Sequence, residues 1–200
     1  MSYTPRQFNI PDINGISKKT IEEHLKLYAG YVKHTNLILE KIPEYRGYEK
    51  EDAFAPYVVS ELYRRFSFEF NGMRNHEYYF EQLEGGQKTL MNHPLNEQMI
   101  KDFGSVENWL NEFKSLCMTR GIGWAVLWYD KVNDKLINSW VDEQHLGHLN
   151  GLAFIYGIDM WEHSYIIDYI PADKKQYVES YLMATNQEVA GARFDRAKSA

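Results

Sequence analysis

Residues 157–165 read GIDMWEHSY and stand at the end of an apolar run, GLAFIYGID, that begins at Gly151. A short apolar run of this kind predicts a largely buried β-strand. A strand usually ends in a Gly or Pro turn, whereas this run continues straight into Asp159, Glu162 and His163. Taken alone, Asp159 is most simply a strand-terminating or helix-capping acid. Whether it has a further role must be judged from the rest of the chain.

Two further strands are predicted before this run. GWAVLWYD at residues 123–130 and KLINSWV at residues 135–141 are joined by the short polar connection KVND, which predicts a β-hairpin. Residues 92–120 predict one or two helices, with Asn96 and Ser105 as candidate N-caps. The C-terminal half is therefore predicted to combine strands with helices.

The N-terminal half carries the pattern of two long helices. Residues 17–43 repeat apolar side chains every three or four positions, with Thr20 and Glu23 spaced as a capping box and Pro43 at the predicted end. A second helix is predicted over residues 57–84, where a Gly-Gly pair supplies the stop. Two long helices with a short connection predict an antiparallel hairpin.

These elements predict an α+β fold with two domains. Residues 1–90 form an α-helical hairpin domain and residues 91–200 an α/β domain. The tail returns to helix, with Pro171 at its first position.

Composition and charge limit the function classes. The single cysteine, Cys117, excludes an intrachain disulfide and a thiolate metal cluster, and it fits a reducing compartment. A net charge of -6 argues against nucleic acid as the main partner. The chain begins without an export signal and contains no run of about 18 apolar residues, so we expect a cytoplasmic protein that does not span a membrane.

Four residues are candidate metal ligands. His24 and His76 lie on the two predicted helices, and Asp159 and His163 lie at the exit of the last strand. Each histidine alone is more often a hydrogen-bonded core residue than a ligand. Together the four residues offer a nitrogen and oxygen donor set that suits zinc, iron or manganese. At this point either a metal site or a group of core polar residues explains them.

Four motifs in order carry a resemblance to a known family. TIEEH at residues 20–24, NHEYYF at residues 75–80, GIGWAVL at residues 121–127 and DMWEHSY at residues 159–165 resemble the motifs of the iron/manganese superoxide dismutases. The resemblance implies a helical hairpin lobe followed by a lobe with a three-stranded antiparallel β-sheet flanked by helices.

The resemblance also implies an activity and a cofactor. His24, His76, Asp159 and His163 would hold one manganese or iron ion per subunit, with solvent as a fifth ligand. The reaction would be disproportionation of superoxide to dioxygen and hydrogen peroxide by a homodimer. The strand would then end in charge because Asp159 must reach a buried cation.

Further residues receive catalytic roles from the same resemblance. Tyr31 would be the gateway tyrosine. The residue that holds the bound solvent would be Gln144 or His145, which stand side by side, so that a one-residue shift decides between them; we slightly favour His145. The helix position that holds the solvent in part of the family is Gly72 here, so the sheet must supply this residue.

Other residues would surround the ligands. Trp124 and Trp161 would form hydrophobic walls, for which simple core packing is a compatible alternative. Glu162 would bond to His163 of the other subunit, and Tyr165 would complete the motif.

The chain also departs from the family pattern. Tyr28 and Ile166 occupy the two places where the family usually carries a His and a Tyr that pair across the dimer. Two other functions remain open for the same four ligands: a non-redox zinc hydrolase and a non-catalytic, metal-stabilised homologue.

Overall fold

The computed structural model describes residues 2–199. Its N-terminal half consists of two long helices, α1 (Lys18–Gly47) and α2 (Ala55–Glu81), which pack against each other. They run antiparallel, since His24 near the start of α1 packs against Phe80 at the end of α2. The predicted helical hairpin is therefore confirmed.

Both predicted ends of α1 are wrong. Ser17 caps the helix, because its Oγ accepts a hydrogen bond from the Thr20 backbone N–H (3.2 Å). Thr20 is buried in the first turn and donates its hydroxyl to Asp168 (2.6 Å), so no capping box forms there. Pro43 lies inside α1 rather than at its end. Its position is exposed, and solvent can compensate for the single backbone hydrogen bond that a proline removes.

Two shorter helices lead to the sheet: α3 (Pro94–Phe103) and α4 (Val106–Cys117). His93 caps α3 through its ring nitrogen, so the N-cap predicted at Asn96 is wrong. The helix begins earlier because its first residue is a proline, which is pre-organised for that position. Ser105 caps α4 as predicted.

Three strands form one antiparallel sheet: β1 (Gly123–Asp130), β2 (Lys135–Asp142) and β3 (Ala153–Asp159), in the order β2-β1-β3. The hairpin and the third strand are found where the sequence predicts them, and the α+β class is confirmed. The register sets Trp124 of β1 beside Asp159, the last residue of β3.

The tail contains two helices, α5 (Lys174–Ala184) and α6 (Gln187–Ser199), where one was predicted. The chain turns extended at Thr185, which separates them. Pro171 does not open α5 itself, because it begins a single 3₁₀ turn, Pro171–Asp173, that leads into the helix.

A buried glutamine ties the end of α2 to the middle of β3. Gln82 Nε2 donates to the Gly157 carbonyl (2.7 Å), and its Oε1 accepts from the Gly157 N–H (3.0 Å). Because one amide satisfies both backbone groups of Gly157, it sets the position of α2 relative to the strand. Within residues 2–199, no helix has the length and apolar character needed to cross a bilayer.

Candidate metal centre

The four predicted ligands come from different elements and converge on one point. His24 lies on α1, His76 on α2, Asp159 at the end of β3 and His163 in the 3₁₀ turn that follows. One ligand atom from each lies within 4.8 Å of the others. The Nε2 atoms of His24 and His163 are 3.1 Å from Asp159 Oδ2. The Nε2 atom of His76 is 3.4 Å from the same oxygen.

This group is closed to solvent except at one residue. The side chains of His24, His76 and Asp159 have no exposed surface, whereas 21% of the His163 side chain is exposed. Asp159 Oδ1 accepts a hydrogen bond from the Trp161 backbone N–H (2.8 Å). This bond orients the carboxylate so that Oδ2 faces the three imidazoles.

The orientation of His76 fits a bound cation. Its Nδ1 lies 2.5 Å from the Gly72 carbonyl oxygen, which can only accept, so Nδ1 carries the proton. In the neutral ring, Nε2 then presents a lone pair toward the carboxylate oxygen of Asp159, and this buried atom has no hydrogen-bond partner within residues 2–199. A lone pair facing an anion is repulsive unless a cation lies between them.

The protonation states of His24, His76 and Asp159 are those that metal binding requires. Burial lowers the pKa of His24 and, more strongly, that of His76, so both rings stay neutral. Burial alone would raise the pKa of Asp159, but His163 and His24 offset it and hold the pKa below its usual value. Neutral imidazoles and an ionised carboxylate are the ligand forms that iron, manganese and zinc require.

A hydrogen-bonded chain runs from the centre toward the surface. The Trp124 indole N–H donates to Gln144 Oε1 (2.9 Å), which fixes the amide so that Nε2 donates to the Tyr31 hydroxyl oxygen (3.1 Å). Gln144 and Trp124 are fully buried, and Tyr31 is partly exposed. The Tyr31 ring lies 5.0 Å from that of His76, so the phenol stands between this ligand and solvent.

Tyr31 can take this place because α2 carries a glycine opposite it. A Cβ atom at Gly72 would lie 2.5 Å from a carbon of the Tyr31 ring, well inside van der Waals contact. The same Gly72 provides the carbonyl that orients His76.

Comparison with known proteins identifies the family. The family model for iron/manganese superoxide dismutases, C-terminal domain, matches residues 91–193. The iron superoxide dismutase of Aquifex pyrophilus is 30% identical over 191 residues, which cover 94% of this chain and 89% of that protein. The chain belongs to the iron/manganese superoxide dismutase family. The family predicted from the four motifs is therefore confirmed.

Relatives named for either metal occur among the similar proteins. The iron superoxide dismutase of Cupriavidus metallidurans is 32% identical over 186 residues, with 91% of this chain and 90% of that protein covered. A manganese superoxide dismutase of Haloferax volcanii is 31% identical over 172 residues, with 85% and 82% covered. Together with the His and Asp group, these names agree with the predicted cofactor, iron or manganese.

The aromatic and acidic residues that the superoxide dismutase pattern singles out lie in different surroundings. The ring of Trp124 packs edge-on against His76 at 5.1 Å, and the ring of Trp161 stacks on His163 at 5.6 Å. Glu162 is exposed beside His163. Tyr165 is buried and packs against Tyr177, with the ring centroids 5.4 Å apart.

The side chains of Gln144 and His145, which are adjacent in the loop after β2, contact different residues. Gln144 is bonded to Trp124 and Tyr31, as described above. The ring of His145 packs edge-on against Phe68 at 5.6 Å. Its Nδ1 is buried and has no hydrogen-bond partner in the described part of the chain, so His145 makes no contact of this kind with the ligand group.

Three supporting residues were not singled out from the sequence. Asn75 donates to the Gln144 carbonyl (3.1 Å), while Tyr177 (2.9 Å) and Ser164 (3.1 Å) donate to the Asp159 carbonyl. Asn75 is part of the NHEYYF motif and could have been noticed there. Tyr177 gives no such signal, because it lies on α5 in a segment with an ordinary helical pattern.

Proposed function

We propose that this protein disproportionates superoxide to dioxygen and hydrogen peroxide, with one iron or manganese ion per subunit held by His24, His76, Asp159 and His163. The observation that carries the proposal is the convergence of three imidazole Nε2 atoms on one carboxylate oxygen in a chain of this family. When bound, the ion supplies the one-electron oxidation and reduction that the two halves of the reaction need.

The contribution of the chain itself is to hold and move protons. Gln144 donates to the oxygen of Tyr31, so the phenolic hydrogen is left to donate to an incoming anion or to solvent. Burial, with the negative charges of Asp159 and Glu69, raises the pKa of Tyr31 above its ordinary value of about 10. Tyr31 therefore keeps its proton at neutral pH. We propose that it donates this proton at the mouth of the site, because the bond from Gln144 leaves the phenolic hydrogen free.

Of the two candidates for the residue that holds metal-bound solvent, we propose Gln144. Its support is the pair of hydrogen bonds to Trp124 and Tyr31, both of which flank His76. His145 packs on Phe68 instead. The proposed roles of Trp124 and Trp161 as walls are supported by their ring contacts with His76 and His163.

We further propose a homodimer in which Glu162 of the partner subunit accepts a hydrogen bond from His163. Two features support this: His163 is the ligand with an exposed edge, and Glu162 beside it is exposed. Ile166 and Ile167 are 46% and 41% exposed on the same segment and would be covered by a second copy. Tyr165, behind this segment, would support it from the core.

We also propose a division of the chain into two domains and a cellular location. The helical hairpin domain, residues 1–90, and the α/β domain, residues 91–200, meet in the irregular connection between α2 and α3. A cytoplasmic location is supported by the lone cysteine, Cys117, which is buried.

The function is tested by loading the protein separately with iron, manganese and zinc. Metal content is measured by elemental mass spectrometry and superoxide dismutation is assayed on each form. We expect about one metal ion per subunit and activity in the iron form, the manganese form or both. Stoichiometric metal without dismutation in either form would overturn the proposal, and esterase activity of the zinc form would then favour the hydrolase.

A further inference from the structure

A cavity of about 460 Å³ lies on the far side of the Gln144 loop from the ligands, between α2, the sheet and α6. Three arginines line it, Arg74 on α2 and Arg193 and Arg196 on α6. No carboxylate is among its lining residues in the described part of the chain. This composition is unexpected in a protein of net charge -6, because an acidic chain has few regions of positive potential.

The deepest of these arginines is only partly neutralised. Arg193 is 4% exposed and donates from Nη2 to Glu81 Oε2 (2.6 Å). Glu81 also forms an ion pair with Arg6, so one carboxylate serves two guanidinium groups. The Nε–H of Arg193 is buried and has no acceptor within residues 2–199. A buried N–H without an acceptor is costly, and an acceptor oxygen in the adjoining cavity would satisfy it.

The outer two arginines differ in their partners. Arg74 donates to Glu77 Oε2 (2.6 Å). Arg196 is exposed and forms no ion pair among the described residues. The three guanidinium groups that line the cavity are thus paired with two carboxylates, Glu77 and Glu81, which leaves an excess of one positive charge.

The walls add neutral donors and aromatic surface to this charge. Asn71 and Asn75 line the cavity beside Arg74, as do Tyr78 and Trp128. Each asparagine amide donates one hydrogen to a backbone carbonyl, that of Ser67 or Gln144, which leaves its second amide hydrogen to donate. Side-chain amides and guanidinium groups together are donors that match the acceptor oxygens of phosphate or carboxylate groups.

We propose that this cavity binds a small oxyanion, a phosphate or a carboxylate, at a site separate from the metal centre. The guanidinium groups of Arg74 and Arg196 would meet the anion at the opening, and Arg193 would provide the positive charge beneath it. The site borders the metal centre through Asn75 and His148, which line the cavity and bond to the Gln144 carbonyl at 3.1 and 3.2 Å.

The test compares two arginine variants of the full-length, metal-loaded protein. Arg196→Gln removes a charge from the cavity, and Arg120→Gln removes the same charge from an exposed position elsewhere, so both variants have equal net charge. Both residues are exposed, and neither change is expected to disturb folding. Isothermal titration calorimetry at low ionic strength is run with inorganic phosphate and with succinate.

We expect saturable binding with one anion per subunit for at least one probe. The dissociation constant should rise by about tenfold or more in Arg196→Gln, as for loss of one charge-assisted hydrogen bond, and stay unchanged in Arg120→Gln. Tighter binding of phosphate would assign the site to phosphate compounds, and tighter binding of succinate to carboxylates. Absence of saturable binding, or equal constants in the two variants, would overturn the proposal. Because no superoxide is present, the result is independent of dismutase activity.

Discussion

Replacing Gly72 by alanine tests how the tyrosine at the mouth of the site is held. The added methyl group would lie 2.5, 2.7 and 2.9 Å from three carbons of the Tyr31 ring. Gly72 lies within α2, so alanine causes no backbone strain and the clash is the main effect. The ring must move away, and its hydrogen bond with Gln144 must lengthen or break.

The expected loss of stability is the difference between two terms. Overpacking a filled site costs about 1–3 kcal/mol. Replacing a helical glycine by alanine raises the free energy of unfolding by about 0.5–1 kcal/mol. The net destabilisation lies between about 0 and 2.5 kcal/mol, with a mid-range value of about 1 kcal/mol. For a chain of this size, 1 kcal/mol lowers Tm by about 2–4 °C.

Gly30 provides the matched control. It lies inside α1, and a Cβ there would meet no atom within 4 Å. Gly30→Ala should therefore raise the free energy of unfolding by about 0.5–1 kcal/mol. The two substitutions are chemically identical, and we expect effects of opposite sign.

Thermal unfolding is measured for both variants at the same protein concentration and metal occupancy, since both affect Tm. Metal content should be unchanged in Gly72→Ala, and dismutase turnover should fall because Tyr31 is displaced. A Tyr31→Ala background should abolish the penalty. If Gly72→Ala is as stable as Gly30→Ala, the packing of Tyr31 against α2 is not as described.

Four further outcomes are expected. His76→Ala and Asp159→Ala should each lose the metal, whereas Tyr31→Phe should retain it. Tyr31→Phe should lower turnover by about 100-fold, the lower end of the effect of a positioned proton donor. Elemental analysis and dismutation assays separate the two classes. Full metal occupancy in either ligand variant would remove that residue from the ligand set. Glu162→Ala should raise the dimer dissociation constant by about 30-fold or more, measured by ultracentrifugation, because a buried charged hydrogen bond is lost. Burial raises the pKa of Cys117 to about 12, so a thiol reagent at pH 8 should label it only after unfolding; rapid labelling of the folded protein would contradict the buried position.

The parts of the fold that the sequence predicts well are those set by hydrophobic pattern. The two long helices repeat apolar residues every three or four positions, and β1 and β3 are continuous apolar runs that are buried almost throughout. The ligands were singled out because charged residues at a strand exit and histidines on apolar helix faces are uncommon. The motifs then connected positions that lie up to 139 residues apart, from His24 to His163.

Helix ends were harder to predict because several side chains compete for the same role. Ser17 and Thr20 can both cap α1, and the choice depends on Asp168, which accepts hydrogen bonds from the Ser17 backbone N–H (2.7 Å) and from the Thr20 hydroxyl (2.6 Å). Asp168 is 148 residues from Thr20 in sequence, so no local rule contains this information. A similar limit applies to Tyr177, which supports Asp159 from another helix.

The orientation of Gln144 depends on a backbone feature that residue type does not reveal. Glu143, the residue before it, has a φ of +50°, in the left-handed region that glycine and asparagine usually occupy. This conformation is held from both sides: the Glu143 N–H donates to the Ile122 carbonyl (3.0 Å), and its carbonyl accepts from the Trp161 indole N–H (3.0 Å). Gln144 and His145 follow Glu143 in the same turn, so the backbone conformation at Glu143 sets where their side chains point. The tryptophan that stacks on His163 therefore also helps to direct Gln144 toward Tyr31, which connects two parts of the site that are separate in the sequence.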